Sequence, residues 1–333
     1  MSGSMPASME ACVYFTRLTV SEDGLYLPLP HDCRVQFLAA CPHIPTIRTI
    51  LCAYADRFAI DLLTELVTPT KHNIDKRVLE AGMYAAFAFF LEDRYHFVPS
   101  ALAFYSSGIA PALMFAKALS PDDYLARLAP FHSANRAAYL AVEKRLTLAQ
   151  TRLEADITED LESFVERALD DELLKTRVYI KDRRHRHTLL LAGVRSDVEK
   201  VRKMAMEAFS SVARQSPKLV DTSSAHLPLY DRAPLEAMLE NIRFDIPRFT
   251  LIGIDGQTLF SGTRDQAAMR RVVSHAAMGF MDTGRVVREA AKLSNRTVVV
   301  GSPFGARVLD RTHLGGYPVA EPATNRMRQL MTV

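Results

Sequence analysis

The segment Phe104-Tyr105-Ser106-Ser107-Gly108 sets a hydroxyl where an apolar run gives way to a helix-like one. A serine on a strand-to-helix corner is lifted clear of the sheet, as in a nucleophile elbow, and its Oγ can attack a carbonyl carbon. The helix behind the corner turns its N-terminus toward negative charge developing on the attacked oxygen. The backbone N–H of Ser107 would be one oxyanion donor. The same five residues also suit a plain turn or an N-cap. His226 is one histidine among ten, and its type alone does not make it a base for that serine.

The elements that must hold such a corner can be read along the chain. Cys12–Val20 alternates as a strand. Val35–Val67 has helical spacing broken near Pro42 and Pro45, and His72–Tyr95 reads as a long helix with one broad apolar face. Phe97–Tyr105 reads as a buried strand and Gly108–Ala118 as a helix. Ser120-Pro121-Asp122-Asp123 starts the next helix, with Ser120 as N-cap, Pro121 at the first helical position and acids in the first turn.

The texture changes from about Glu143 to Leu219. Leu146–Ala155 reads as a strand and Thr158–Leu169 as a helix capped by Thr158. Thr176–Ile180 and Thr188–Ala192 read as strands joined by a polar turn. Ser196–Val212 reads as a helix and Lys218–Val220 as a strand. Strand-helix-strand-strand-helix-strand is the split βαβ order of a ferredoxin-like unit. Beyond it Leu227–Asn241 is helical, Phe249–Ile254 a strand, Asp265–Ala291 largely helical and Thr297–Val300 a strand, with Ala306–Leu309 after it. The fold expected is an α/β, hydrolase-like core with a ferredoxin-like α+β insert. Its divisions are 11–142 and 221–315 for the large subdomain, 143–220 for the small one, and 316–333 for a loosely held tail.

The chain has 333 residues, 48% hydrophobic and 24% charged, enough for a sizeable core. A net charge of +3 is too weak to argue for nucleic acid. Cys12, Cys33, Cys41 and Cys52 show no CxxC spacing, which points to buried free thiols and to neither a zinc site nor a disulfide framework. Met1–Glu10 lacks the basic and apolar regions of a secretory signal. Ala81–Leu91 is about half the length needed to span a bilayer. A cytoplasmic protein without membrane or nucleic-acid partners is expected.

Phe104 to Ser120 reads FYSSGIAPALMFAKALS. This resembles the elbow of the malonyl-CoA:acyl carrier protein transacylase and polyketide synthase acyltransferase family, G-H-S-x-G-E followed by an Ala-rich helix ending in A-L-S. Ser106, Gly108, Ala112, Leu113, Ala116, Ala118, Leu119 and Ser120 fall in register without gaps. Leu189–Gly193 with the helix after it looks like the family's ferredoxin-like insert. Ser223-Ser224-Ala225-His226, a helix and then Ile242–Pro247 are similar to the segment with the catalytic histidine. Val298–Gly305 stands at the late glycine-rich turn. The likeness runs in order over residues 70–312. It implies Ser106 as nucleophile and His226 as general base, then as acid toward the leaving thiol. No permanently bound cofactor is implied. The substrate is a CoA or phosphopantetheine thioester and the partner an acyl carrier protein, in fatty acid, polyketide or related natural-product biosynthesis. In the family a backbone carbonyl orients the histidine, and counting back from Gly301 puts it near Met281 or Asp282.

Four departures bear on substrate and competence. Tyr105 replaces the histidine before the serine, and Ile109 the glutamate after the glycine. The G-Q-G-S-Q loop is absent, leaving Leu18 to Ser21, with Thr19, to offer an oxyanion N–H. The family's carboxylate-clamping arginine, counted eleven residues on from Ser120, falls on Phe131. An unclamped buried carboxylate is costly and an aromatic wall favours apolar groups. The acyl group expected is therefore not malonyl but apolar or bulkier, held by Tyr105, Ile109, Phe131, Ser224 and Ala225. Arg136 or Arg77 is the alternative clamp. The run Lys181–His187 reads as a solvated hairpin tip. It also reads, through Arg183, Arg184 and Arg186 with Arg270 and Arg271, as a docking site for an acidic carrier protein or CoA phosphates. An acyl hydrolase of the same fold and a degenerate, non-catalytic partner subunit are the other two readings.

Overall fold

The structure is a computed structural model, and it describes residues 12–15, 31–68, 74–170, 172–185, 187–294, 297–300 and 320–322. Among these residues ten strands form two sheets: β1 (Cys12–Phe15), β2 (Ala101–Phe104), β3 (Leu148–Glu154), β4 (Val178–His185), β5 (Thr188–Val194), β6 (Leu219–Asp221), β7 (Thr250–Ile252), β8 (Thr258–Leu259), β9 (Thr297–Val300) and β10 (Ala320–Pro322). The large sheet runs β10-β9-β1-β2-β7-β8, with every pair parallel except β7 with β8.

A parallel sheet must be covered on both faces, and β2 shows how this sequence does it. Leu102 and Phe104 point into the main core beside Val13, Phe15 and Leu251. Ala101 and Ala103 point the other way, where they are small enough for Val286 and Ala290 of the helix Thr283–Leu293 to pack close.

The helix Lys76–Tyr95 lies through the main core, buried all the way round from Val78 to Leu91 and not on one face alone. Ala81, Gly82, Ala85, Ala86 and Ala88 make that possible by letting neighbours approach. Asp75 caps its start by accepting from Arg77 N, and His96 in the left-handed conformation ends it. After Ser120, whose Oγ accepts from Asp123 N, the chain makes a π-helical turn at Tyr124–Leu128 before the helix Ala129–Glu143.

The second sheet, β4-β5-β3-β6, is antiparallel throughout. With the helices Leu161–Leu169 and Arg195–Ala208 it forms a ferredoxin-like subdomain around Leu153, Val165, Leu189, Leu191, Val198 and Val201. Asp160, not Thr158, caps the first of these helices, accepting from Ser163 N.

Further differences from the sequence reading have local causes. The helix expected over Leu227–Asn241 begins at Ala233, with Pro234 in its first turn. The helix expected over Asp265–Ala291 is two, Gln266–Met278 and Thr283–Leu293, divided at Gly279. The short β8 joins the sheet edge, and β10, within the expected tail, pairs with β9. Cys12 and Cys41 are buried but Cys52 is exposed. Ala306–Leu309 lies outside the described residues. Among those residues no helix is long and apolar enough to cross a membrane.

Candidate active site

Ser106 follows β2 directly and opens a short 3-10 turn, Ser106–Gly108, that leads into the helix Ile109–Phe115. Six described non-glycine residues have positive φ. Ala59, His96 and Ser216 are helix C-caps, and Lys117 closes the turn after Phe115, so left-handed backbone is ordinary there. The other two are Ser106 at 51° and His226 at 67°. Left-handed backbone that is not a helix C-terminus marks a position fixed by its surroundings.

These two residues meet. Ser106 Oγ lies 2.8 Å from His226 Nε2, and His226 Nδ1 lies 2.9 Å from the carbonyl oxygen of Gly279. A carbonyl can only accept, so Nδ1 carries the proton and Nε2 presents its lone pair to the serine hydroxyl. The tautomer is the one a general base needs. The loop before His226 is tied down on several sides. Ser224 donates its Oγ to Tyr139 O and its N–H to Glu143, and Ala225 N donates to Ser223 Oγ. Lys181 Nζ donates to Thr222 Oγ1 and Ser223 O.

The orienting carbonyl is therefore that of Gly279, neither Met281 nor Asp282. Met281 exchanges backbone bonds with Lys181 and Arg183, and Asp282 caps the helix Thr283–Leu293. Counting back from Gly301 stopped two or three residues short, because the chain leaves the helix at Gly279. A side chain there would lie 2.9 Å from His275 O. The signal was present as a stop glycine followed by the N-cap Asp282.

The same strand pairing joins the subdomains. Asp182 forms an isolated parallel bridge with Met281, and its buried carboxylate accepts from Thr283 N, Thr283 Oγ1 and Arg184 Nε. Burial raises the Asp182 carboxyl above its ordinary value, against the pull of Arg184 and Thr283. Gly284 lets this approach happen, since a Cβ there would fall 2.1 Å from Arg184 O. Lys181 to His185 belong to β4, and Lys181, Asp182 and His187 are buried, against the expectation of a solvated run. Arg183 pairs with Glu162 and Glu166 and lies over Phe280. Arg270 and Arg271 stand on the helix Gln266–Met278, Arg271 near Asp265. Arg186 and Thr19 lie outside the described residues.

A cavity of about 590 Å³ opens beside the pair. Tyr105, Ser107 and Ala225 line it, together with Lys181, Arg184 and Gln150 from the small subdomain. Ile109, Phe131 and Ser224 do not. Ile109 and Phe131 belong to the main core, and Ser224 faces the helix Ala129–Glu143. Phe131 misses the cavity because the π-helical turn at Tyr124–Leu128 adds a residue and rotates the following helix, bringing His132 and Arg136 to the wall instead. His132 is half-buried, but its Nε2 is covered and has no hydrogen-bond partner among the described residues. Burial, aided by the nearby Arg77 charge and opposed by Asp75, lowers its pKa to about 4, so it is neutral at pH 7.

No family model matches the sequence, and no curated protein does. Solved structures do match in shape. FabD from Acinetobacter baumannii superposes with a TM-score of 0.68 at 15% identity, over 98% of this chain and 99% of that one. An acyl-carrier-protein S-malonyltransferase from Burkholderia pseudomallei gives 0.65 at 18%, over 97% and 100%. The acyltransferase domain from the second module of the salinomycin polyketide synthase gives 0.62 at 17%, over 96% and 70%. The chain has the fold these acyltransferases share, an α/β core with a ferredoxin-like subdomain.

Proposed function

We propose that this chain is an acyltransferase that moves an acyl group between CoA or carrier-protein thioesters as an ester on Ser106. The observation that carries the reading is the relay Ser106–His226–Gly279 O, with both side chains on left-handed backbone. His226 Nε2 takes the hydroxyl proton as Oγ attacks the thioester carbonyl carbon. The backbone N–H of Ser107 supports the oxyanion. The carbon–sulfur bond breaks, and His226 returns the proton to the leaving thiolate. A second thiol then attacks the ester by the reverse steps, freeing Ser106.

An acyl carrier protein is the partner this reading assigns. One neighbour in shape is a malonyl-transacylase in complex with a type II polyketide synthase acyl carrier protein. The pantetheine arm would enter along the small-subdomain wall at Gln150, Lys181 and Arg184, with Arg183, Arg270 and Arg271 on the docking side. The work belongs to fatty acid, polyketide or related natural-product biosynthesis. The acyl group we assign is not malonyl. Phe131, buried in the core, does not support that choice, which rests on the Asp75 carboxylate paired with Arg77 and Arg136 at the cavity wall.

The test is to supply acyl-CoAs together with holo acyl carrier protein and separate the products. Acyl carrier protein bearing the acyl group supports a transferase. Free acid without it means that water takes the acyl group and the chain is a hydrolase. Neither product means a non-catalytic subunit.

A further inference from the structure

The wall of the Ser106 cavity carries two arginines and one acid that grip one another. Arg77 sets its fork on the Asp75 carboxylate, Nε to Oδ1 at 3.0 Å and Nη2 to Oδ2. Arg136 adds Nη1 to Oδ2 at 3.3 Å. All three residues line the cavity that Ser106 and His226 line. Fork-to-fork pairing is how arginine holds a carboxylate ligand. Here a side chain of the protein already fills that place.

Asp75 is fixed where it stands, because the same carboxylate caps the helix Lys76–Tyr95 by accepting from Arg77 N at 3.1 Å. Burial alone would raise the Asp75 carboxyl, but the bonds and charge of Arg77, with the charge of Arg136, hold it below its ordinary value. It is therefore ionised at neutral pH. Within this cluster the excess positive charge rests on Arg136, whose side chain is 42% exposed and screened by water; of the other cations on the cavity wall, Arg184 is paired with Asp182 and Lys181 donates to Thr222 Oγ1 and Ser223 O. An entering carboxylate would have to displace Asp75 from Arg77, leaving one of the two anions unpaired. His132, neutral beside them, offers no further cation.

We propose that Asp75 is a specificity-determining residue, an internal carboxylate that fills the arginine fork and restricts the cavity to acyl groups carrying no carboxylate. The inference rests on the acyl-serine reading above and names its substrate class: uncharged acyl thioesters.

Asp75→Asn removes the charge and keeps a good N-cap, and Asp75→Ser does the same with a shorter side chain. Acylation of the natural protein is expected to favour butyryl-CoA over malonyl-CoA by about 100-fold. In either variant the preference falls to about 10-fold or less, chiefly through faster malonyl loading. A natural protein that loads malonyl as readily as butyryl overturns the proposal, as does an unchanged preference in both variants. A second measurement does not depend on catalysis. Succinate titrated calorimetrically into the Ser106→Ala protein should bind about tenfold tighter once Asp75→Asn is added. Equal binding, or binding to neither protein, overturns the proposal. No acylation by any donor, with the succinate difference intact, overturns the acyl-serine reading and leaves the role of Asp75 standing.

Discussion

Replacing Gly279 by alanine probes the carbonyl that aims the histidine without touching either reacting residue. Its backbone, φ −76° and ψ 165°, is open to alanine, so the change carries no dihedral strain. The cost comes from contact. The new Cβ would lie 2.9 Å from His275 O, 3.0 Å from its Cα and 3.2 Å from its Cβ. The first two are backbone atoms of a packed helix and yield little, so residue 279 must move by a few tenths of an ångström. Its carbonyl, 2.9 Å from His226 Nδ1, then sits at about 3.2–3.4 Å, at the edge of hydrogen-bond range. Loss of that aim is worth about 1.5–3 kcal/mol in the transition state, or about 10- to 100-fold in acylation rate. His226→Ala sets the floor, about 100- to 10,000-fold down. Rapid-quench single-turnover acylation measures both, with thermal unfolding to confirm that the variant is folded. A folded Gly279→Ala protein that acylates within about twofold of the natural rate would refute this account of how His226 is oriented.

Asp182→Ala uncovers Thr283 and Arg184 at the join between subdomains and should cost about 3–5 kcal/mol in urea unfolding, with Asp182→Asn costing less; a loss under about 1 kcal/mol contradicts the brace. Phe131→Leu should lower stability by about 1 kcal/mol and leave the preference among acyl-CoAs unchanged, because Phe131 packs in the core; a changed preference would return it to the acyl site. His132 binds its proton near pH 6.5 when unfolded and at about 4 when folded, so stability attributable to it is full above 6.5 and falls as pH drops toward 4. The gap allows at most about 3–4 kcal/mol, reduced to about 2 for a half-buried residue, and urea unfolding of His132→Gln across that window should lose less stability than the natural protein by about this amount.

The chemistry was most legible where several local rules agreed. A buried strand, a small polar corner and an Ala-rich helix together pointed to Ser106, and the run Ser223-Ser224-Ala225 marked His226 once the order of segments was matched. Residues reached by counting fared worse. Helix register survives only while every turn has the same number of residues, and the π-helical turn at Tyr124–Leu128 moved the cavity wall from Phe131 to His132. Gly279 was lost because helical periodicity resumes after it, although its glycine and the Asp282 cap announce a break. Lys181 and Asp182 read as solvated charges, since nothing local reveals that Thr222, Ser223 and Thr283 will satisfy them. The pairing of Asp75 with Arg136 spans sixty-one positions and is a property of the fold alone.

The central claim is an acyl group carried on Ser106. Intact-mass spectrometry after brief incubation with a panel of acyl-CoAs and acyl carrier proteins, followed by peptide mapping, tests it most directly. The account predicts a mass increase of one acyl group, mapped to Ser106 and absent from Ser106→Ala. No adduct from any donor, or an adduct that persists in Ser106→Ala, would contradict it.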